Sequence, residues 1–351
     1  MKIAVLGAGA WGTALAIAFC HKNQVAHQAT HQVTLWGRDA QHMAALISTR
    51  TNARYLPDMA LPAALAIEAD FAAAISTADI ALIATSTAGL RDTATLVHAA
   101  KPALPIIWAC KGFDRETAKL PHEIVGEIIG TNANANTNAN TNTSTNYGAR
   151  FGALSGPSFA LEVARGLPTA LTLACNDADF AQSTANVLNG GNLRVYSNAD
   201  LVGVELGGAL KNVMAIAAGL CDGMALGMNA RAAIITRGLA EMVRLGVAMG
   251  GKAETFMGLT GLGDLILTAT GSLSRNRSVG VALAEGKSLE QILAELGHVA
   301  EGVNSAAIAL KLAKVYGVNL PITEAVNALL FERADPRQIV KLLLSRETKA
   351  E

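Results

Sequence analysis

The sequence predicts an α/β domain, built on a doubly wound and mainly parallel sheet, followed by an all-α domain. Three observations carry this. Up to about residue 175, short apolar runs rich in β-branched residues alternate with helical segments, the pattern of strands joined by crossover helices. From about residue 200 the strand-like runs vanish and helical periodicity takes over. Where the first strand gives way to a helix stands Gly7-x-Gly9-x-x-Gly12, a spacing that suits a tight turn around an anion.

The elements follow in order. "KIAVLGAG" reads as a buried strand and "WGTALAIAFCHK" as the helix after it. "HQVTLWG" (31–37), "ADIALIAT" (78–85) and "PIIWACKG" (105–112) are further strands, and "ARFGALSGPS" and "PTALTLAC" continue the pattern. Segments 203–220, 229–249, 276–285, 288–297, 301–316 and 322–331 carry the helical period. We therefore expect domains at 1–197 and 198–351, divided in or beside "NGGNLRVYSNAD". "TNANANTNANTNTSTN" (131–146) holds only Thr, Asn, Ala and Ser. Nothing large is there to bury, so it reads as a low-complexity loop insertion in the first domain.

Composition narrows the function classes. Lys plus Arg and Asp plus Glu both number 28, and no block of like charge occurs, so nucleic acid and charged membrane surfaces are not expected partners. Four cysteines without C-x-x-C spacing read as reduced thiols of a cytoplasmic protein. No metal site is expected. The uncharged run "IAVLGAGAWGTALAIAFC" resembles an export signal or a marginal membrane span. Its glycines interrupt it where a strand would turn into a helix, so no span is expected.

Several residues have types suited to chemistry. Gly7 permits the tight turn, Gly9 lets backbone approach a pyrophosphate, and Gly12 lets helix and strand close-pack; a purely structural turn would use the same glycines. The second strand ends Gly37-Arg38-Asp39. Arg38 favours NADP(H), whereas Asp39 leaves NAD(H) open. Lys111 follows a strand at its carboxyl end, the edge where ligands bind in open α/β sheets, although a surface lysine is common there. Gly156-Pro157 makes a fixed turn, with Ser158 close to a helix start, fit to hold a substrate oxygen or simply to cap. Asp264 stands among glycines in "GLTGLGDL", and Ser274-Arg275-Asn276 combines a hydroxyl, a forked cation and an amide near a helix start. The latter set suits a phosphate, or else a capped surface helix.

Lys211 stands near the middle of the apolar segment "GVELGGALKNVMAIAAGL". Gly207, Gly208, Met214 and Ala215 share its face, with no carboxylate in helical reach. These small neighbours are expected to leave space for a substrate. Desolvation and a second cation would lower such an amine from an ordinary pKa of about 10.4 toward neutrality, the condition for an acid/base. A lysine snorkelling to solvent is the plainer alternative.

Taken together, "GAGAWGTALA", "CKGF", "SGPSFA", "VELGGALKNVMAIAAG", "NARAAIITRGLAEM", "GLTGLGDLILT" and "SRNRSVG" resemble the bacterial NAD(P)-dependent glycerol-3-phosphate dehydrogenases. The likeness covers nearly the whole chain, the Asn/Thr tract and the 21–32 link "HKNQVAHQATHQ" excepted. It implies a Rossmann domain followed by a helical domain like that of 6-phosphogluconate dehydrogenases. It also implies reduction of dihydroxyacetone phosphate to sn-glycerol 3-phosphate with NADP(H) or NAD(H), for phospholipid synthesis, by a cytoplasmic homodimer. The implied roles are Lys211 as catalytic acid/base and Lys111, Gly156, Ser158, Asp264, Ser274, Arg275 and Asn276 as substrate contacts. Cofactor contacts are implied at Gly7, Gly9, Ala10, Trp11, Gly12, Arg38, Lys111, Ala160, Arg275, Val299 and Glu301. Relatives often carry serine where this chain has Ala10, which costs one side-chain hydrogen bond. Another β-hydroxyacid or 6-phosphogluconate-type dehydrogenase, or an NADP(H)-binding protein without catalysis, stays open.

Overall fold

The computed structural model describes residues 1–21, 31–130, 149–296, 300–332 and 334–344. The expected insertion at 131–146, most of the 21–32 link and Val299 lie outside the described residues. Two compact units emerge: Met1–Asp114 with Lys119–Leu201, and Arg115–Ala118 with Val202–Glu351.

The first unit is the α/β layer structure. Its strands are β1 (Lys2–Leu6), β2 (Gln32–Trp36), β3 (Thr51–Asn52), β4 (Leu56–Ala60), β5 (Ala66–Glu68), β6 (Ile80–Ile83), β7 (Ile106–Trp108), β8 (Phe151–Ser155), β9 (Thr169–Cys175) and β10 (Leu193–Asn198). Eight form one sheet in the order β10-β9-β8-β7-β6-β1-β2-β5, while β3 and β4 make a separate antiparallel ribbon. All neighbours in the large sheet run parallel except β8 and β9. Strand order reverses beside β1, so the carboxyl ends of β1 and β6 flank the crevice where open α/β sheets take their ligands.

Burial explains which runs became strands. Val5, Leu35, Leu82, Ile107 and Leu173 are almost wholly buried, as continuous apolar runs in a sheet covered on both faces should be. The N-terminal run that resembled an export signal divides into β1, the glycine turn and the Ala10–His21 helix. The short strands β3, β4 and β5 and the half-exposed β10 were not expected. β10 lies inside the stretch read as the domain boundary.

The second unit is helical in its described residues, as its lack of strand runs predicted. Its central element is the Leu201–Gly223 helix, in which Gly203 through Cys221 are all buried. By length and composition this helix would pass for a membrane span, yet 89% of its apolar window is buried inside the protein. A helix apolar on every side belongs at the centre of such a packing. Its small residues let other backbones approach. A Cβ on Gly219 would stand 2.0 Å from Arg277 O, and one on Gly280 would stand 2.0 Å from Ile216 O. The Arg275–Ala284 helix therefore crosses it at backbone contact. The Gly227–Ala248 and Glu301–Tyr316 helices also pack on it, Gly238 against Met214 and Gly302 against Asn212 O, and the Pro321–Phe331 helix packs on both of these.

Candidate active site

In the first unit the glycine turn fits a dinucleotide. Gly7 adopts φ 128°, closed to other residues, and its N–H donates to Trp36 O. A Cβ on Gly12 would lie 1.9 Å from Gly7 O, so the helix start packs directly on the turn. At Gly9 a Cβ would meet nothing within 4 Å: the backbone there faces open space, which lets a pyrophosphate approach. Ala10 opens the Ala10–His21 helix, presenting unpaired N–H groups and the positive end of its dipole to an anion. Trp11, next in the helix, has a buried Nε1 with no hydrogen-bond partner among the described residues.

At the end of β2, Arg38 is exposed. Asp39 caps the Ala40–Thr49 helix by accepting from His42 N at 3.0 Å. That amide is the main reason the Asp39 carboxyl sits below its usual range.

The ends of β7 and β8 bring three predicted residues together. Lys111 Nζ donates to Gly156 O at 3.0 Å, and Ser158 Oγ donates to the same carbonyl at 3.0 Å. Gly156 makes the bend with φ 140°. Ser158 does not cap the next helix, the plainer of the two roles open to it; the residue in the capping position before Ala160–Ala164 is Phe159. Ala160 is that helix's first residue.

In the second unit Lys211 is not alone. Its Nζ lies 2.6 Å from Asp264 Oδ1 and 2.7 Å from Thr268 Oγ1, and the Thr268 hydroxyl donates to Asp264 Oδ1 at 3.3 Å. Lys211 is 7% exposed and Asp264 1%, so this is a buried ion pair with its own hydroxyl bridge. Helical reach along its own segment offered no carboxylate; a second helix supplies one. The anion favours the ammonium form and burial disfavours it, so the neutral amine expected from desolvation and Lys111 is opposed by a partner the spacing did not reveal.

The glycines before Asp264 also differ from expectation. They are not a flexible loop: Leu259–Gly263 makes a π-helical turn that runs into the Asp264–Thr270 helix. A Cβ on Gly207 would come within 2.6 Å of Thr260 O. The space beside Lys211 at Gly207 is thus taken by the Thr260 backbone, which holds the Asp264 turn against the lysine helix, rather than kept for a substrate.

The "SRN" set is divided in role. Ser274 is buried and caps the Arg275–Ala284 helix by accepting from Arg277 N. Asn276 is buried too; its Nδ2 donates to Asn212 Oδ1 at 2.9 Å and its Oδ1 accepts from Gly302 N at 3.0 Å. It ties the lysine helix to the start of the Glu301–Tyr316 helix. Arg275 is exposed at the first helical position. Burial raises the Glu301 carboxyl, while the charges of Arg115 and Arg275 pull it down, so Arg275 and Glu301 share one neighbourhood. Thr268, Asn212 and Arg115 escaped the sequence reading. Thr268 lies four residues after Asp264 on the same helical face, the one signal that marked it.

The first unit matches the model of the NAD-dependent glycerol-3-phosphate dehydrogenase N-terminus over residues 2–181, and the second matches that of the C-terminus over residues 200–341. The chain belongs to the NAD-dependent glycerol-3-phosphate dehydrogenase family. Within it, the chain is 54% identical to a glycerol-3-phosphate dehydrogenase [NAD(P)+] of Aromatoleum aromaticum and 52% identical to one of Nitrosospira multiformis. Both alignments span this whole chain and 99% or more of the relative. Among solved structures, the glycerol-3-phosphate dehydrogenase of Coxiella burnetii superposes with a TM-score of 0.87 at 38% identity, covering 98% of this chain and 99% of that one. The family is NAD(P)-dependent, in keeping with the open turn at Gly9.

Proposed function

We propose that the chain reduces dihydroxyacetone phosphate to sn-glycerol 3-phosphate, reversibly, with NADPH or NADH, and so supplies phospholipid synthesis. The observation that carries this reading is the buried Lys211–Asp264–Thr268 cluster in a member of this family. The reduced nicotinamide, when bound, supplies a hydride for C2 of the triose. The residues of this chain do the rest. The Gly7–Gly12 turn and the start of the next helix hold the pyrophosphate, with Ala10, Trp11, Arg38, Ala160, Arg275, Val299 and Glu301 as further contacts. Arg275 and the N–H groups opening its helix bind the substrate phosphate, in a frame set by Ser274 and Asn276. Lys111, with Gly156 and Ser158, contacts the substrate. Lys211 gives a proton to the C2 oxygen as that carbon is reduced, and takes it back in the reverse direction. Asp264 keeps the amine charged until then, and Thr268 stays hydrogen-bonded to the neutral amine afterwards.

Two finer readings accompany this one. No disulfide joins the four cysteines, which suits a reducing cytoplasm, and fractionated cells should carry the activity there. Exposed apolar side chains on the second unit, among them Met228 and Val315, give a second copy surface to bury and support a homodimer.

The deciding experiment follows NADPH and NADH oxidation with dihydroxyacetone phosphate. Lys211→Ala should lower kcat by on the order of 10²–10⁴, the usual worth of a positioned acid/base. NADPH binding, followed by fluorescence, should be unchanged. Near-native turnover in the variant would remove Lys211 from the proton transfer.

A further inference from the structure

Two features of the first unit bear on which nicotinamide cofactor this chain takes. The first is the employment of Asp39. In sheets of this kind an acid at the end of the second strand accepts from the adenosine ribose and selects NAD(H), whereas an arginine accommodates a 2′-phosphate. Here one carboxylate oxygen of Asp39 caps a helix through His42 N at 3.0 Å, and the other pairs with Arg54 Nη1 at 3.4 Å. The acid that left NAD(H) open is engaged elsewhere.

The second feature is the placement of Arg54. It stands in the turn between β3 and β4, which is anchored to the glycine turn by a buried side chain. Asn52, fully buried, donates from Nδ2 to Ala8 O at 3.0 Å and to Thr13 Oγ1 at 2.8 Å. Its Oδ1 accepts from Tyr55 N at 3.2 Å. His42, whose ring meets that of Tyr55 edge-on at 5.3 Å, approaches Ala8 O with Nε2 at 3.3 Å. The Arg54 guanidinium lies 5.0 Å over the Tyr55 ring. The turn is thereby fixed against the residues that cradle the pyrophosphate, and its arginine is held beside the end of β2. Its pairing with Asp39 joins side chains that are 59% and 54% exposed, a weak bond in water. A dianionic phosphate competes for that guanidinium readily. Arg38, exposed and without an ion pair or hydrogen bond among the described residues, adds a second guanidinium from the adjoining position.

We propose that Arg54, with Arg38, reads the 2′-phosphate of NADP(H), and that this chain prefers NADP(H) because Asp39 is withdrawn from the ribose. The proposal rests on the dehydrogenase reading above and adds a specificity-determining residue outside the glycine turn and strand end.

The test measures binding by calorimetry on the full chain, without turnover, using NADPH, NADH and 2′,5′-ADP. Arg54→Ala should weaken NADPH and 2′,5′-ADP by about tenfold or more, the usual loss for a hydrogen bond between charged groups, and leave NADH unchanged. Arg54→Lys should recover part of the loss. Asp39→Asn keeps a side chain that caps helices well, and should leave NADH binding unchanged. If Arg54→Ala leaves NADPH as tight as before, or weakens both cofactors alike, the assignment of Arg54 falls while the dehydrogenase reading stands. If Asp39→Asn weakens NADH selectively, Asp39 serves the ribose and the proposal is overturned. If the native chain binds none of the three ligands, the dehydrogenase reading fails and takes this proposal with it.

Discussion

Lys211 and Asp264 show how much one buried pair asks of its surroundings. Removing two charges from water is costly, and the cost is met only with close geometry and further hydrogen bonds; here Thr268 supplies a bridge to both. Asp264→Asn keeps the shape and removes the charge that holds the proton on the amine. Its kcat should fall on the order of 10²-fold, with a lower melting temperature, because a buried cation left without its partner destabilises by about 3–5 kcal/mol. Thr268→Val should cost roughly tenfold in kcat, the scale of one hydrogen bond to a charged group. Steady-state kinetics beside circular dichroism melting checks both; an Asp264→Asn enzyme with native kcat would show that the carboxylate plays no part in proton transfer. Lys211 was legible because an amine in the middle of an apolar segment is anomalous. Its partner was not, since Asp264 is 53 residues away and nothing in local spacing announces a pairing between two helices.

At the scale of elements, Glu241 illustrates a polar tie between helices. From within the Gly227–Ala248 helix its Oε1 accepts from Ile322 N at 2.5 Å, and its Oε2 accepts from Thr323 N at 3.1 Å and Thr323 Oγ1 at 3.0 Å. These are orphan groups at the start of the Pro321–Phe331 helix. One turn on, Arg244 Nη1 donates to Asn319 O. Burial pushes the Glu241 carboxyl up to about 7 from an ordinary 4.5, against the pull of its donors and Arg244. The folded state thus holds the Glu241 proton more tightly than the unfolded chain does. The resulting stability is fully present below about pH 4.5 and is lost as pH rises toward 7. Glu241→Gln abolishes that titration. In urea unfolding at pH 5 and pH 7.5, the variant should lose less stability between the two than the native chain; equal losses would exclude Glu241 as the source.

At the scale of the molecule, legibility followed burial and length. β1 and β6 were readable because they are apolar runs ended by glycine or polar residues, and β2 because its Val, Thr, Leu and Trp lead into Gly37. β5 has three residues at the sheet edge, and β10 alternates buried and exposed positions, so neither offers the run that marks a central strand. The long helices of the second unit were found within two or three residues because their periodicity extends over several turns. The short Ala253–Met257 and Asp264–Thr270 helices were hidden by the glycines of 258–263, of which Gly261 serves a close backbone contact with Phe256 rather than looseness. Among the candidate site residues, the glycine turns at Gly7 and Gly156 were visible in the sequence, while the bonds of Asn276 to Asn212 and Gly302 depend on helix crossings. If two copies associate, light scattering should report about twice the 36.2 kDa of one chain; a single-chain mass at micromolar concentration would exclude the homodimer.

The enclosure of Lys211 has a practical side. Acylating and carbamylating reagents attack amines that are reachable and not engaged, and this one is buried and paired with a carboxylate. Such a reagent will decorate the outer lysines first, so a sample heavily labelled yet still active says nothing about whether the buried amine is needed.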